Sequence, residues 1–219
     1  MPFIDFLKCR KRVLSSIFKF MTLITLSFSI AAYFVIHSVL SANKVKLWLN
    51  ETIIAKKYYR LFFNVVATVG LLIICIFYLL VEKVLLLKNE WLHWPGLLLI
   101  ISGLVWVLKA MKGYHLGEFL GTYQLKFGTQ PKNIELVVNG LNAQVRHPLY
   151  FGTLLILWGM FFIIPNDAAF AVATLSTLYI FIGATLEERK LEQQFGETYR
   201  LYKRHVPMLI PFCWRSSAK

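Results

Sequence analysis

Long, nearly uncharged apolar runs constrain this chain more than any other feature. The hydrocarbon core of a bilayer is ~30 Å thick and takes about 20 apolar residues as a helix. Runs of this kind predict spans at 17–40, 59–81, 95–108, 149–164 and 168–186. The first carries no charge after Lys19, and the third is short, with Lys109 placed to snorkel at its end. Helices are the expected form because lipid offers the backbone no hydrogen-bond partners, and the alternation of a barrel strand is absent. Only Pro165, Asn166 and Asp167 separate the last two spans, which predicts an antiparallel hairpin of neighbouring helices. The expected fold is all-α and integral to the membrane. It has five transmembrane helices in one domain over 1–219, the last two a tight hairpin, followed by a cytoplasmic C-terminal helical segment.

Composition removes the competing classes. The chain is 58% apolar and 16% charged, where a soluble domain averages about 45–50% and about 25%. An aromatic content of 16% argues against disorder. The net charge of +13 could suggest nucleic acid, but in so apolar a chain basic loops beside the spans account for it and no nucleic-acid partner is expected. Cys9, Cys75 and Cys213 lie far apart and form neither a zinc pattern nor a disulfide framework, so no metal is expected. Lys8, Arg10, Lys11 and Arg12 precede an apolar run longer than the ~7–15 residues of a signal peptide's core, so that run is read as a span. Lys and Arg crowd into 41–60, 109–147 and 187–219, which places these segments and the C-terminus in the cytoplasm. Five spans then put the basic N-terminus outside, against the same rule.

Polar residues beside the spans mark where chemistry could sit. Pro148 suits the first turn of a helix, where its missing N–H costs nothing. Arg146 and His147 then stand at a positive helix end, a place to hold a carboxylate or phosphate, or else they anchor the span at the interface. Glu187 and Glu188 follow the last span. They gain nothing from the dipole if the helix stops there. They make sense if the helix continues through Arg189, Lys190 and Leu191, or if they bind a cation or hydroxyls; a solvated face is the plainer reading. The hairpin brings the Arg146–Tyr150 stretch and the Glu187-Glu188 pair to one membrane face. The segment from Phe195 to Pro207 mixes basic and aromatic residues and reads as a helix at the membrane surface. His37, near the cytoplasmic end of the first span and followed by Ser38 and Ser41, is either functional or a helix-packing group. The chain has no GxSxG, P-loop, HExxH or GxGxxG motif. Mid-span positions are almost free of ionisable groups, which argues against a proton relay.

Arg146-His147-Pro148-Leu149-Tyr150-Phe151-Gly152, then Glu187-Glu188, then Phe195-Gly196-Glu197-Thr198-Tyr199, Tyr202 and Val206-Pro207 resemble the integral-membrane methyltransferases. These include isoprenylcysteine carboxyl methyltransferase and the phospholipid N-methyltransferases. His37-Ser38-Val39-Leu40-Ser41-Ala42, Tyr58-Tyr59-Arg60-Leu61, Gly117-Glu118-Phe119-Leu120-Gly121 and Val206-Pro207-Met208-Leu209-Ile210-Pro211 are similar to one branch, the bacterial methanethiol S-methyltransferases. The resemblance implies S-adenosylmethionine as cofactor, in a cytoplasmic pocket closed by the C-terminal segment of a bacterial inner-membrane enzyme. It implies cofactor contacts at Ile134, Glu135, Leu136, Val137, Asn142, His147, Pro148, Leu149, Tyr150 and Glu187. Prenylcysteine enzymes carry an Arg four residues before the first Glu, where this chain has Gly183, so a small hydrophobic thiol arriving from the lipid bilayer is the expected acceptor.

A thiolate attacking a sulfonium neutralises charge, so a dry pocket favours the step once the thiolate exists. Arg146 could stabilise the thiolate; His37, His147 or Glu188 could take the proton. The expected reaction is methylation of methanethiol to dimethyl sulfide. Carboxyl methylation of an isoprenylcysteine or another lipophilic acceptor is the alternative enzyme, and a structural or transport protein retaining the motif is the non-enzyme alternative.

Overall fold

The computed structural model describes residues 2–113, 115–128 and 135–211. Among them the chain is helical, with one isolated antiparallel bridge between Leu85 and Asn166. We number the helices α1 (Pro2–Ser41), α2 (Asn43–Thr52), α3 (Tyr59–Leu80), α4 (His93–Met111), α5 (Leu116–Leu120), α6 (Thr122–Phe127), α7 (Pro148–Ile163), α8 (Asp167–Phe195) and α9 (Glu197–His205). Short 3-10 turns lie at Glu90–Leu92 and Gly140–Ala143. Among the described residues four helices are long and apolar enough to cross a bilayer: Val13–Ser41 of α1, α3, Glu90–Met111 around α4, and α8. At 16 residues α7 is shorter, about 24 Å at 1.5 Å per residue. Large apolar side chains such as Phe28, Leu79, Leu98 and Ile182 stand exposed on these helices, as lipid-facing residues do.

Helix ends depart from the apolar runs where the interface supplies extra turns. The third span was expected over 95–108, yet α4 runs from His93 to Met111. Trp94 and Lys109 tolerate the interface, and Pro95 is harmless in the first turn. The last span does not stop at 186, because α8 continues to Phe195. Glu187 and Glu188 are therefore interior to a helix, and no unfavourable helix terminus needs explaining.

Two packing units fix the arrangement. Leu26 and Ile30 of α1, Ile74 of α3 and Ala168 of α8 form a buried cluster, with Val81 at its edge. The second unit is the pair α4 and α7, held by glycines. Gly96 faces Gly159 and Gly103 faces Gly152, so the helices run antiparallel. A Cβ on Gly103 would stand 2.6 Å from the Gly152 carbonyl oxygen, closer than any side chain tolerates. Only bare backbone allows this approach, the usual device for packing helices in lipid.

At the far end, Asn166 caps α8 by accepting from the Ala169 N–H at 2.8 Å. Asp167 ties the 81–89 loop to the same turn, its Oδ1 accepting from the Val84 N–H at 2.9 Å. At the opposite end, Arg60 and Asn64 of α3 donate to the α5 carbonyls of Phe119 and Leu120 at 3.0–3.1 Å. Gly121, at φ +91°, turns the chain from α5 into α6, and a Cβ there would stand 3.0 Å from the Leu61 nitrogen and 3.2 Å from the Arg60 side chain.

Candidate active site

Pro148 occupies the first position of α7, and the two residues before it are pinned by a strap from the C-terminal segment. The Arg146 N–H donates to the Pro207 carbonyl at 2.9 Å, and the His147 N–H to the Met208 carbonyl at 3.1 Å. These bonds consume backbone donors that would otherwise face an empty helix end, and they fix two side chains toward α8.

Glu188 is the hub of what results. It is buried, 3% exposed, and its Oε1 accepts from Arg146 Nε at 2.6 Å and lies 3.3 Å from His147 Nε2. Its Oε2 lies 3.3 Å from Lys203 Nζ of α9. Three basic groups thus surround one buried carboxylate, which compensates a charge that could not otherwise be buried. The Arg146 guanidinium also donates through one terminal nitrogen to the Lys203 and Val206 carbonyls, closing the C-terminal end of α9.

Glu187 has a different environment. Its side chain is 46% exposed, and its Oε2 accepts from the Tyr150 hydroxyl at 2.9 Å. His147 Nδ1 lies 3.8 Å from the same oxygen, and the imidazole stacks on the Tyr150 ring with centroids 5.3 Å apart. The imidazole therefore stands between the two carboxylates, one buried and neutralised, the other open.

Asn142 orders the approach to α7. Its Nδ2 donates to the Val137 carbonyl at 3.1 Å, and its own carbonyl accepts from the Tyr202 hydroxyl at 2.6 Å. Val137 and Glu135 are exposed and Leu136 is half-buried beside them. Ile134 lies outside the described residues. Pro148 is buried, and Leu149 is half-buried in the first turn of α7. His37 is not among the groups around the carboxylates. Its Nδ1 is 2.7 Å from the Tyr179 hydroxyl of α8, and its ring contacts Tyr33 and Phe63. It lines a cavity of about 450 Å³ between α1 and α3, walled by apolar side chains including Phe28, Val66, Val69 and Ile73.

Sequence reasoning named Tyr199 and Tyr202 as part of the motif but gave neither of them, nor Lys203, a place among the site residues. All three lie on the α9 face turned to this cluster; their spacing of three and four residues on a short helix was the available signal. Burial pushes the Tyr202 phenol up to about 12, and burial together with the Glu188 carboxylate raises that of Tyr199 further. The hydrogen bond from Lys203 to Glu192, at 2.7 Å, and its proximity to Glu188 raise the Lys203 ammonium. All three groups hold their protons at neutral pH, and Tyr202 and Lys203 donate theirs in hydrogen bonds. Among the described residues no group of three or more His, Cys, Asp or Glu side chains is placed to hold a metal ion.

The segment that carries this open carboxylate, its tyrosine and the strapped helix end has relatives among known proteins. Residues 91–198 match the phospholipid methyltransferase family. The matched region contains α4, α7, α8 and the Arg146, His147, Tyr150, Glu187 and Glu188 constellation, and extends into the start of α9. Methanethiol S-methyltransferase 1 of Bradyrhizobium diazoefficiens is 47% identical over 73 residues, 33% of this chain and 24% of that protein. The methanethiol S-methyltransferase of Pseudomonas sp. strain GM41(2012) is 33% identical over 129 residues, 59% of this chain and 46% of its own. That of Mycobacterium tuberculosis is 35% identical over 68 residues, 31% and 27% of the two chains. The matched stretches span less than half the length of each of these relatives. No solved structure matches the chain. The family match and these names, with the apolar helices, support a membrane methyltransferase.

Proposed function

We propose that the protein is an S-adenosylmethionine-dependent methyltransferase acting on a small thiol, most simply methanethiol, to give dimethyl sulfide. The observation that carries this is the open Glu187–Tyr150 pair at the entrance of α7, backed by the buried Arg146, His147 and Glu188 network, within the family-matched segment. The residues suit such a cofactor. Glu187 offers a half-exposed acceptor for an ammonium or ribose hydroxyls, and the buried Tyr199 hydroxyl has no hydrogen-bond partner among the described residues. Glu187, Tyr150, His147 and Asn142, with Glu135 to Val137, Pro148 and Leu149 around them, would hold the cofactor, which when bound supplies an electrophilic methyl group. Ile134 belongs to the same proposed stretch.

The chain's own groups divide the remaining work. Arg146 has its Nε committed to Glu188 and a terminal nitrogen committed to α9, so it positions the pocket and its closing strap rather than meeting the thiolate. Glu188 already pairs with Arg146 and Lys203 and lies beside His147, so it is a poor proton acceptor. His37 has one ring nitrogen bonded to Tyr179 and the other without a hydrogen-bond partner among the described residues, so it is the group we assign to take the thiol proton. Tyr179, Gly183 and Glu187 follow each other at four-residue spacing on α8, and this stripe joins the His37 pair to the Tyr150 pair. A Cβ on Gly183 would meet nothing within 4 Å. Glycine at this position brings no cation toward the stripe, which suits a small apolar acceptor better than a carboxylate-bearing one.

In this reading α7 and α8 are the hairpin of a five-span bundle in a bacterial inner membrane, with the pocket facing the cytoplasm and closed by 197–211. Purified protein is expected to bind S-adenosylhomocysteine in calorimetry. Its membranes, given methanethiol and S-adenosylmethionine, are expected to release dimethyl sulfide into the headspace. Binding with methylation of a prenylcysteine and no dimethyl sulfide would refute the acceptor; no binding would refute the enzyme.

A further inference from the structure

Tyr199 is among the largest fully buried side chains of the described residues, 1% exposed, and among those residues its hydroxyl has no hydrogen-bond partner. Its helix neighbour Tyr202, with ring centroid 5.8 Å away, shows the ordinary arrangement, donating to the Asn142 carbonyl at 2.6 Å. A buried hydroxyl left unpaired costs about 1–3 kcal/mol. Phenylalanine at 199 would keep the ring packing and avoid that cost. The hydroxyl does not sit in an apolar niche either. The Glu188 and Glu187 carboxylates and the Arg146 guanidinium all lie close enough to act on its ionisation. These are the groups that bound the candidate site. Arg146, His147 and Lys203 already occupy Glu188. Solvent does not reach the hydroxyl, so bulk water does not satisfy it.

We propose that Tyr199 is a cofactor-binding residue, its hydroxyl donating to a hydrogen-bond acceptor of the methyl donor held between α7, α8 and α9. The inference rests on the methyltransferase reading above and adds to it a contact from the closing segment. The ligand enters as α9 gives way at Gly196, whose φ of +57° and open surroundings make it the joint between α8 and α9. In the ligand-free chain the hydroxyl is a defect; in the complex it is a bond.

The test uses full-length protein in detergent and two measurements, thermal unfolding without ligand and S-adenosylhomocysteine affinity by calorimetry. Tyr199→Phe is expected to leave the ligand-free midpoint unchanged or raised, and to weaken affinity about tenfold. Tyr202→Phe, which breaks an existing bond, is expected to lower the ligand-free midpoint and serves as the contrast. Wild-type binding with unchanged affinity in Tyr199→Phe overturns the proposal alone. A lowered ligand-free midpoint in Tyr199→Phe also overturns it, because the hydroxyl would then have a structural partner. Absence of binding by the wild type overturns the methyltransferase reading and the proposal with it.

Discussion

Glu187 and Glu188 are neighbours in sequence, and the structure gives them opposite consequences on mutation. Glu188→Ala removes the carboxylate that pairs with Arg146 and lies 3.3 Å from His147 Nε2; the Arg146 and His147 side chains are 8% and 6% exposed. Breaking a buried pair from one side costs about 3–5 kcal/mol, since the remaining charge stays buried without compensation. A loss of 1 kcal/mol lowers the midpoint of a 150–250-residue domain by about 2–4 °C, so even the lower bound predicts a fall of about 6–12 °C. Glu188→Gln keeps an acceptor oxygen for Arg146 Nε and should cost less than Glu188→Ala. Arg146→Ala frees the α9 carbonyls as well and should cost at least as much. The double variant Arg146→Ala with Glu188→Ala should lose less than the two single losses combined, because each single change already abolishes the shared contact. Thermal unfolding in detergent, followed by circular dichroism, reads all four. A Glu188→Ala midpoint within 2 °C of wild type, or strict additivity in the double variant, would refute the view of this cluster as one buried electrostatic unit.

Glu187→Ala leaves every buried charge paired and is expected to keep the midpoint while abolishing S-adenosylhomocysteine binding in calorimetry; retained affinity would remove Glu187 from the site. Gly103→Ala must part α4 and α7 by about 0.8 Å to bring a 2.6 Å contact with the Gly152 oxygen to an ordinary distance, a strain of about 1–3 kcal/mol. The same change at Gly183, which meets nothing, should stabilise by up to about 1 kcal/mol through helix propensity, so the two midpoints move in opposite directions. Raised phenol values at Tyr199 and Tyr202 mean that the folded state holds protons the unfolded chain releases above pH ~10. Their contribution is complete below that value and is lost as pH rises toward 12, so the midpoint should fall over that window and fall less in the Tyr199→Phe, Tyr202→Phe double variant.

What could be read from the chain alone followed from distances measured along it. Three residues between α7 and α8 leave no freedom of direction, so the start of one helix had to meet the far part of the other. The meeting of Arg146, His147 and Tyr150 with Glu187 and Glu188 was legible for that reason. Their division of labour was not. Whether a carboxylate is buried depends on what covers it, and the cover of Glu188 comes from Lys203 and from an Arg146 held by Pro207 and Val206, about 60 residues away. No local pattern states that this segment folds back. The glycine pairs behave in the same way. Gly96 and Gly103, like Gly152 and Gly159, are seven residues apart and so share a helix face. That spacing is visible in the sequence, but which two helices it joins is not, because chain order favours α3 beside α4 as readily as α7. The short third span came from counting only apolar residues, whereas His93, Trp94 and Lys109 extend a helix without lengthening its hydrocarbon stretch. Tyr199 is the sharpest case. Its place in the segment was noted, but the property that singles it out is a hydroxyl that bonds to nothing among the described residues, and a missing bond exists only once every neighbour has a position.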